Sequence, residues 1–480
     1  MNVKATLLAF VFAVAASAGA TEFSHFFQDP LLTRPPNLDS DTATLGQNKS
    51  ELCALASLDG INQAMPLTLE KAIDIALCHN PQIKGGWADI KIRAALLGEA
   101  RASYLPSLGV STGKLRSINK YPDGELPNTE NVRNLSQINL TWRLYDFGVR
   151  SGNLESAKYM LASTLSAHEA ILQRTMGAVI GAYFDAMLAQ ARVATAAQTV
   201  AFTASLLQTT QRREAAGVVA VTETLEGQAA LAKALLAKSR ADGELRSTRS
   251  VLVSAMGLTS AVPLYIAQEQ VIPKDVSVLN LERWMEQARQ KHPSIVAVRD
   301  ELAAAQAKLE SVIAEGLPTL ELSHNYYQNG FPNQGAATSN SKVRSTGITL
   351  SAPVFDGFSR TYKIRGAQAQ VEQTQNKLQD AETRVMGEIM QAHAEAQSAF
   401  DNLGASEVVL RAVESVLQSA NNRYNRGAAD LFELLSAQKD LGEAQFERVN
   451  SLVVWRSARL KLLATAAVLD KSLLDEGAPR

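Results

Sequence analysis

Three stretches of this sequence carry residue types that do covalent or phosphoryl chemistry elsewhere, and each lacks the rest of its machinery. Gly109-Val-Ser111-Thr-Gly113 fits G-x-S-x-G, in which a serine sits on a strained strand-to-helix elbow that exposes its hydroxyl. Here the pattern lies along a stretch that reads as strand, with no helix after it, so Ser111 is a strand residue. Gly109 to Lys114 falls one residue short of a phosphate-cradling loop. Asp146-Phe-Gly148 imitates the metal-binding tripeptide of kinases, without the H-R-D loop or V-A-I-K lysine that must accompany it. A bend from strand into helix, with Asp146 and Asp356 near helix N-termini, accounts for it better. The six histidines stand at 25, 79, 168, 292, 324 and 393, scattered along the chain, and His79, two residues before Pro81, and His292, directly before Pro293, read as helix-surface residues. Two cysteines cannot build a structural zinc site without histidines at ligand spacing. The sequence therefore assigns no catalytic, cofactor-binding or metal-binding residue, and the chain is expected not to be an enzyme.

What these residues sit on is more informative. A chain of 480 residues would allow three or four ordinary domains. With 47 Lys+Arg against 48 Asp+Glu, the formal net charge is −1, which gives no basic footprint for nucleic acid. An apolar content of 46% with 20% charged residues is too hydrophobic for a disordered chain, and 15 prolines are few enough to permit long helices.

The N-terminus has one positive charge at Lys4, an apolar core from Ala5 to Ala15, and small residues ending Ala16-Ser-Ala18-Gly-Ala20, the plan of a secretory signal peptide over residues 1–20. The apolar run is short of the roughly 20 residues that span a bilayer, and no cysteine follows the cleavage region for lipid attachment. Removing Lys4 with the signal leaves a mature charge of −2. An exported chain without a transmembrane helix is either soluble in an oxidising compartment or inserted as a β-barrel. Cys53 and Cys78, the only pair, flank 24 residues. A disulfide there would stabilise by about 3 kcal/mol on the loop-entropy model; two buried free thiols are the alternative.

Sliding the chain against itself gives a persistent register. Leu69, Asn80-Pro81 and Leu105-Pro106 fall on Leu281, His292-Pro293 and Leu317-Pro318 at an offset of 212. Tyr145-Asp146, Arg150, Gly217, Glu223 and Gln228 fall on Phe355-Asp356, Arg360, Gly427, Glu433 and Gln438 at 210. This predicts a tandem duplication: a 21–66 extension, repeat 1 over 67–277, repeat 2 over 278–468 and a 469–480 tail. Each repeat reads as an opening helix (about 68–103 and 280–315), a β-hairpin (about 105–147 and 317–355), a long helix and a return helix (about 222–257 and 430–467). Ile138, Leu140, Trp142 and Leu144 alternate with polar residues, as do Ile348, Leu350, Ala352 and Val354. No proline interrupts Gly148–Gly217 or Phe358–Gly427, so each holds about 68 helical residues, a rod of roughly 100 Å, turning at Gly217 and Gly427. Strands with one apolar and one polar face carry the transmembrane β signature, yet soluble sheets covered on one face read alike. Four strands cannot close a barrel, so closure would come from further copies: two chains would give eight strands, three would give twelve. Trp142 and Tyr326-Tyr327 suit either an interfacial aromatic girdle or strand packing.

The duplicated plan, the opening Leu67-Thr-Leu-Glu-Lys-Ala-Ile-Asp-Ile-Ala-Leu-Cys-His-Asn-Pro81, Ala102-Ser-Tyr-Leu-Pro106 before the first strand, Tyr145-Asp-Phe-Gly148 after the second, and Arg423-Tyr-Asn-Arg-Gly427 together resemble the TolC family of outer-membrane channel-tunnel proteins, from about residue 66 to 468. The resemblance implies a mixed α/β membrane protein, mainly α. It implies a homotrimer in which each chain lends four strands to a 12-stranded barrel in outer-membrane lipid, continued by a long periplasmic α-helical barrel. It further implies a periplasmic adaptor (membrane fusion) protein and an inner-membrane ABC or RND transporter as partners, and no cofactor. In the family the periplasmic end is closed near the helix tips by tyrosine, arginine and acidic side chains. Counting from the tip glycines, Tyr424 matches the gate tyrosine, and Glu223 and Glu433 match acidic positions. Ala429 and Ser436 stand where well-studied members have the gate arginine and a second aspartate, which leaves Arg426 or Asp430 to rewire the network.

The expectation is thus a passive outer-membrane exit duct, with type I protein secretion ahead of multidrug or metal efflux. The Cys-bearing opening and the Glu22–Pro66 segment resemble secretion members more than lipidated ones. A periplasmic coiled-coil adaptor or scaffold is the rival of another class, and a periplasmic hydrolase the third.

Overall fold

The structure is a computed structural model that describes residues 66–120, 129–259, 264–267, 281–328 and 342–467. The signal peptide, Cys53 and the 469–480 tail lie outside the described residues. In order the elements are α1 (Leu69–His79), α2 (Pro81–Ala102), β1 (Ser107–Asn119), β2 (Thr129–Tyr145), α3 (Val149–Ala215) and α4 (Val221–Ala255). Then come α5 (Leu281–Lys291), α6 (Pro293–Ala314), β3 (Thr319–Gln328), β4 (Lys342–Ser351), α7 (Ser359–Asn425) and α8 (Leu431–Thr465). Corresponding helices of the two halves have equal lengths: 11 residues for α1 and α5, 22 for α2 and α6, 67 for α3 and α7, 35 for α4 and α8.

Where the sequence reads one opening helix per half, each is broken in two, after His79 and after Lys291. The proline that follows forces the break: it excludes the preceding residue from the α region yet suits the first position of a new helix. Asn80 accordingly lies at φ −62°, ψ 123°. The second alternating stretch also runs short, because β4 ends at Ser351 and leaves Ala352 and Val354 beyond the ladder, next to Pro353.

The chain divides into two compact units. One, built from Ile90–Ala162 and Asp300–Gln375, contains a single antiparallel sheet in the order β1-β2-β3-β4. Leu108 pairs with Leu140 and Val110 with Ile138; Trp142 pairs with Leu322, Leu322 with Ile348 and Leu320 with Leu350. Partners across a ladder point to the same side, so these residues make one apolar face. Ser111, Gln137, Asn139, Thr141, Ser323, Asn325 and Thr349 make the other face polar. Among the described residues nothing covers Leu108, Ile348 and Leu350 of the apolar face, which are 67%, 66% and 68% exposed. Trp142 sits on that face and donates from Nε1 to the Tyr104 carbonyl at 2.9 Å.

The turns from strand to long helix are alike in plan and different in burial. Asp146 Oδ2 accepts from the Arg150 backbone N–H at 3.2 Å and from Arg150 Nε at 2.7 Å. The guanidinium also donates to the Arg143 carbonyl at 2.7 Å and lies 4.6 Å over the Tyr104 ring. Both side chains are buried. In the second half Asp356 Oδ2 accepts from the Arg360 N–H at 2.9 Å, but the side-chain contact is 3.8 Å and a third exposed. Within this unit α3 touches α6 at Gly152, where a Cβ would lie 2.8 Å from the Ala307 carbonyl and Ser311, so only glycine fits.

The other unit, built on the described residues of 66–89, 163–299 and 376–467, has a core for each half. Ile73, Ile75 and Ala76 of α1 pack with Val179, Ile180 and Tyr183 of α3 and with Leu252 and Met256 at the end of α4. Leu67 forms a parallel bridge to Ile266, and the Tyr183 hydroxyl donates to the Leu67 carbonyl at 3.2 Å. Cys78 of α1 is half-buried against this core. In the second half Trp284 and Ala288 of α5 pack with Val385 and Ile389 of α7 and with Trp455, Ala458 and Leu462 of α8.

Candidate functional site

Each long helix ends in the same turn. Gly217 and Gly427 have φ of 69° and 74°, the left-handed conformation that costs a glycine least. Val218 N–H donates to the Arg213 carbonyl and Gly217 N–H to Glu214; Ala428 N–H donates to Arg423 and Gly427 N–H to Tyr424. Both turns therefore satisfy the last carbonyls of their helices in a Schellman motif. Asp430 caps α8, its Oδ1 accepting from the Glu433 N–H at 2.8 Å, and Glu433 occupies the first turn, where the helix dipole favours a negative charge.

The turns hold two arginines and two glutamates at equivalent places: Arg213 and Arg423 stand four residues before the tip glycines, Glu223 and Glu433 six after them. Tyr424 breaks the equivalence. Its ring is buried with Leu206, Leu431 and Leu434, and its hydroxyl donates to Glu223 Oε1 at 2.7 Å. Arg213 lies 5.0 Å over the same ring. The Arg213–Glu223 equivalents of the first tip thus converge on a residue of the second and tie the α3–α4 turn to α7. Burial first, and the Glu223 carboxylate second, push the Tyr424 phenol up to about 12, against the opposing pull of Arg213. The hydroxyl is a donor throughout the neutral range. In the second tip Arg423 instead reaches within its own hairpin, donating to Glu433 Oε1 at 2.6 Å and to the Ala428 carbonyl at 3.2 Å.

Of the residues singled out by sequence, Tyr424 and Glu223 are brought together, whereas Glu433 is engaged separately. Asp430 serves as a helix cap, and Arg426 makes no ion pair among the described residues. Sequence reasoning missed Arg213 and Arg423, although the repeat register places both at one distance from the tip glycines. Ala429, where an arginine was looked for, packs against the apolar cluster around Tyr424. Among the described residues no cluster of histidine, cysteine and carboxylate could hold a metal ion.

The family model described as outer membrane efflux protein matches residues 72–258 and again 284–467. The chain belongs to that family. This outer membrane efflux protein is 34% identical over 415 residues to Protein CyaE of Bordetella pertussis, covering 86% of this chain and 87% of that one. It is 22% identical to the alkaline protease secretion protein AprF of Pseudomonas aeruginosa, with coverage of 86% and 87%, and 21% identical to the proteases secretion protein PrtF of Dickeya chrysanthemi, with coverage of 88% and 92%. Its fold is that of solved outer-membrane channels. The outer membrane protein VceC of Vibrio cholerae superposes with a TM-score of 0.71 at 19% identity, over 83% of this chain and 96% of that one. A membrane protein from Pseudomonas aeruginosa gives 0.72 at 20% identity, over 83% and 92%.

Proposed function

We propose that this outer membrane efflux protein is the passive outer-membrane exit duct of a tripartite type I secretion system. The observation that carries the reading is the sheet: four antiparallel strands with one apolar face uncovered, a polar opposite face, and edges at β1 and β4 without partners among the described residues. Strands with one apolar and one polar face are what a transmembrane barrel presents to lipid and to its lumen, and no described helix is long and apolar enough to cross a membrane. Three copies, with β1 of one chain beside β4 of the next, make a closed barrel of twelve strands, and the long helices with their shorter companions continue it as the wall of a periplasmic α-barrel. Energy comes from an inner-membrane transporter reached through a periplasmic adaptor.

Tandem duplication is supported by the equal helix lengths of the two halves and by the family model's two matches. We place repeat 1 at 67–277 and repeat 2 at 278–468, preceded by a signal peptide and an extension closed by a Cys53–Cys78 disulfide. A polypeptide cargo is supported by the relatives named for protease secretion, and the family membership weighs against a soluble adaptor or scaffold. The Tyr424–Glu223–Arg213 contact is the latch of the closed tip, and the Arg423–Glu433 pair braces the second hairpin beside it. Purification in detergent, mass measurement and planar-bilayer recording test the reading. A trimer that conducts ions is expected, together with loss of a secreted polypeptide from the medium when the chain is deleted. Recovery as a soluble monomer in a periplasmic extract would overturn it.

A further inference from the structure

His292 is nine-tenths buried and is not on a helix surface. Its Nδ1 accepts from the Ser294 backbone N–H at 3.2 Å, so that nitrogen carries no proton, and Nε2–H donates to the Thr465 carbonyl at 3.1 Å. One neutral imidazole therefore caps the start of α6 and clasps the last residue of α8. The equivalent residue of the first half does the same with an amide. Asn80 Oδ1 accepts from the Gln82 N–H at 2.8 Å, and Nδ2 donates to the carbonyl of Ala255, the last residue of α4, at 3.2 Å.

The residue two beyond each return helix matches its clasp. Gly257, at φ 77°, lies so close to Asn80 that a Cβ would meet its Cα at 2.6 Å. The second half has Ala467 at the corresponding place, held in the left-handed region at φ 54°. The half with the amide thus has a glycine at this place, and the half with the imidazole has an alanine whose backbone is strained. An asparagine clasp has one protonation state, whereas an imidazole clasp has two. A second proton on Nδ1 would set an N–H against the Ser294 N–H and abolish the cap.

We infer that His292 is a proton-released clasp that makes the junction of α5, α6 and α8 acid-sensitive, while Asn80 holds the matching junction of α1, α2 and α4 at any pH. The groups facing the ring are the Thr465 carbonyl of α8, the Ser294 amide of α6 and the Glu388 carboxylate of α7. Glu388 and the carbonyl favour the imidazolium, but burial outweighs them and holds His292 below the usual histidine range. The opened junction then binds protons more readily than the closed one, so closure weakens as pH falls below about 6.5.

Hydrogen exchange on the detergent-purified full chain, with rates normalised to intrinsic exchange at each pH, tests this within one molecule. Peptides spanning 281–298 are expected to lose protection by up to about five-fold between pH 6.5 and 5.5, while peptides spanning 69–86 keep theirs. His292→Asn should remove the dependence and leave protection near its neutral value. Equal loss in the two halves, or a pH dependence that survives in His292→Asn, overturns the inference. Should that variant fail to fold, the comparison of the two halves in the unmodified chain still decides. The test is independent of oligomeric state and conductance, so it stands apart from the duct reading.

Discussion

Removing one oxygen atom should loosen the tip. Tyr424→Phe keeps the ring among Leu206, Leu431 and Leu434 and deletes the hydroxyl that donates to Glu223 at 2.7 Å. A hydrogen bond to a charged acceptor contributes about 1.5–3 kcal/mol net. Glu223 is half-buried and regains water when the hydroxyl goes, which puts the loss near the middle of that range, about 2 kcal/mol, or roughly 30-fold in the equilibrium for parting the two hairpin tips of one protomer. Single-channel recording in planar bilayers should show a higher open probability or conductance for the variant at neutral pH. Glu223→Gln, which keeps an acceptor without its charge, should fall between. Arg213→Ala should lose the contact with the Tyr424 ring, and a double-mutant cycle of Arg213→Ala with Tyr424→Phe should show coupling of about 0.5–1 kcal/mol. Because the phenol is raised to about 12 in the closed tip from about 10 when parted, the latch is fully present below pH 10 and is lost as pH rises from 10 towards 12. If Tyr424→Phe and Glu223→Gln both conduct as the unmodified channel does, the latch reasoning fails.

The turns from strand to long helix give a paired comparison. Arg150→Ala leaves Asp146 buried without its partner and should destabilise by about 3–5 kcal/mol, whereas Arg360→Ala, at the looser and more exposed pair, should cost about 1 kcal/mol or less; thermal unfolding in detergent measures both. Cys78→Ser should lower stability by about 3 kcal/mol, and alkylation of the unreduced protein followed by mass spectrometry should find neither thiol modified. Labelling of both thiols without reduction would exclude the bridge.

Most of the architecture was legible because it rests on period and on prolines. Sixty-seven residues without proline at helical spacing have one regular solution, and alternation of apolar and polar residues in β2 marks both faces of the sheet. The site was only half legible. Tyr424 and Glu223 were found through resemblance, but their contact joins residues 201 positions apart and no local rule reaches that far. The search for a cation went to Arg426 because it stands beside the tip glycine; the cation that reaches Tyr424 comes from the other hairpin. His292 was read as exposed because its neighbours in sequence, Lys291 and Pro293, say nothing of α8, which supplies the covering carbonyl.

By itself the sequence determined which segments are helix and strand and where the long helices turn, since these follow from backbone sterics and side-chain period within a few residues. Tertiary structure decided what equivalent residues do. Arg213 and Arg423 hold the same place in their hairpins, as do Asn80 and His292, and Asp146 and Asp356. Yet one arginine lies over a tyrosine of the other hairpin while its counterpart reaches a glutamate of its own, one clasp can titrate, and one ion pair is buried. Such differences arise from which partner packing brings within about 3 Å and how much water it removes, and neither quantity is encoded in the spacing of residues along the chain.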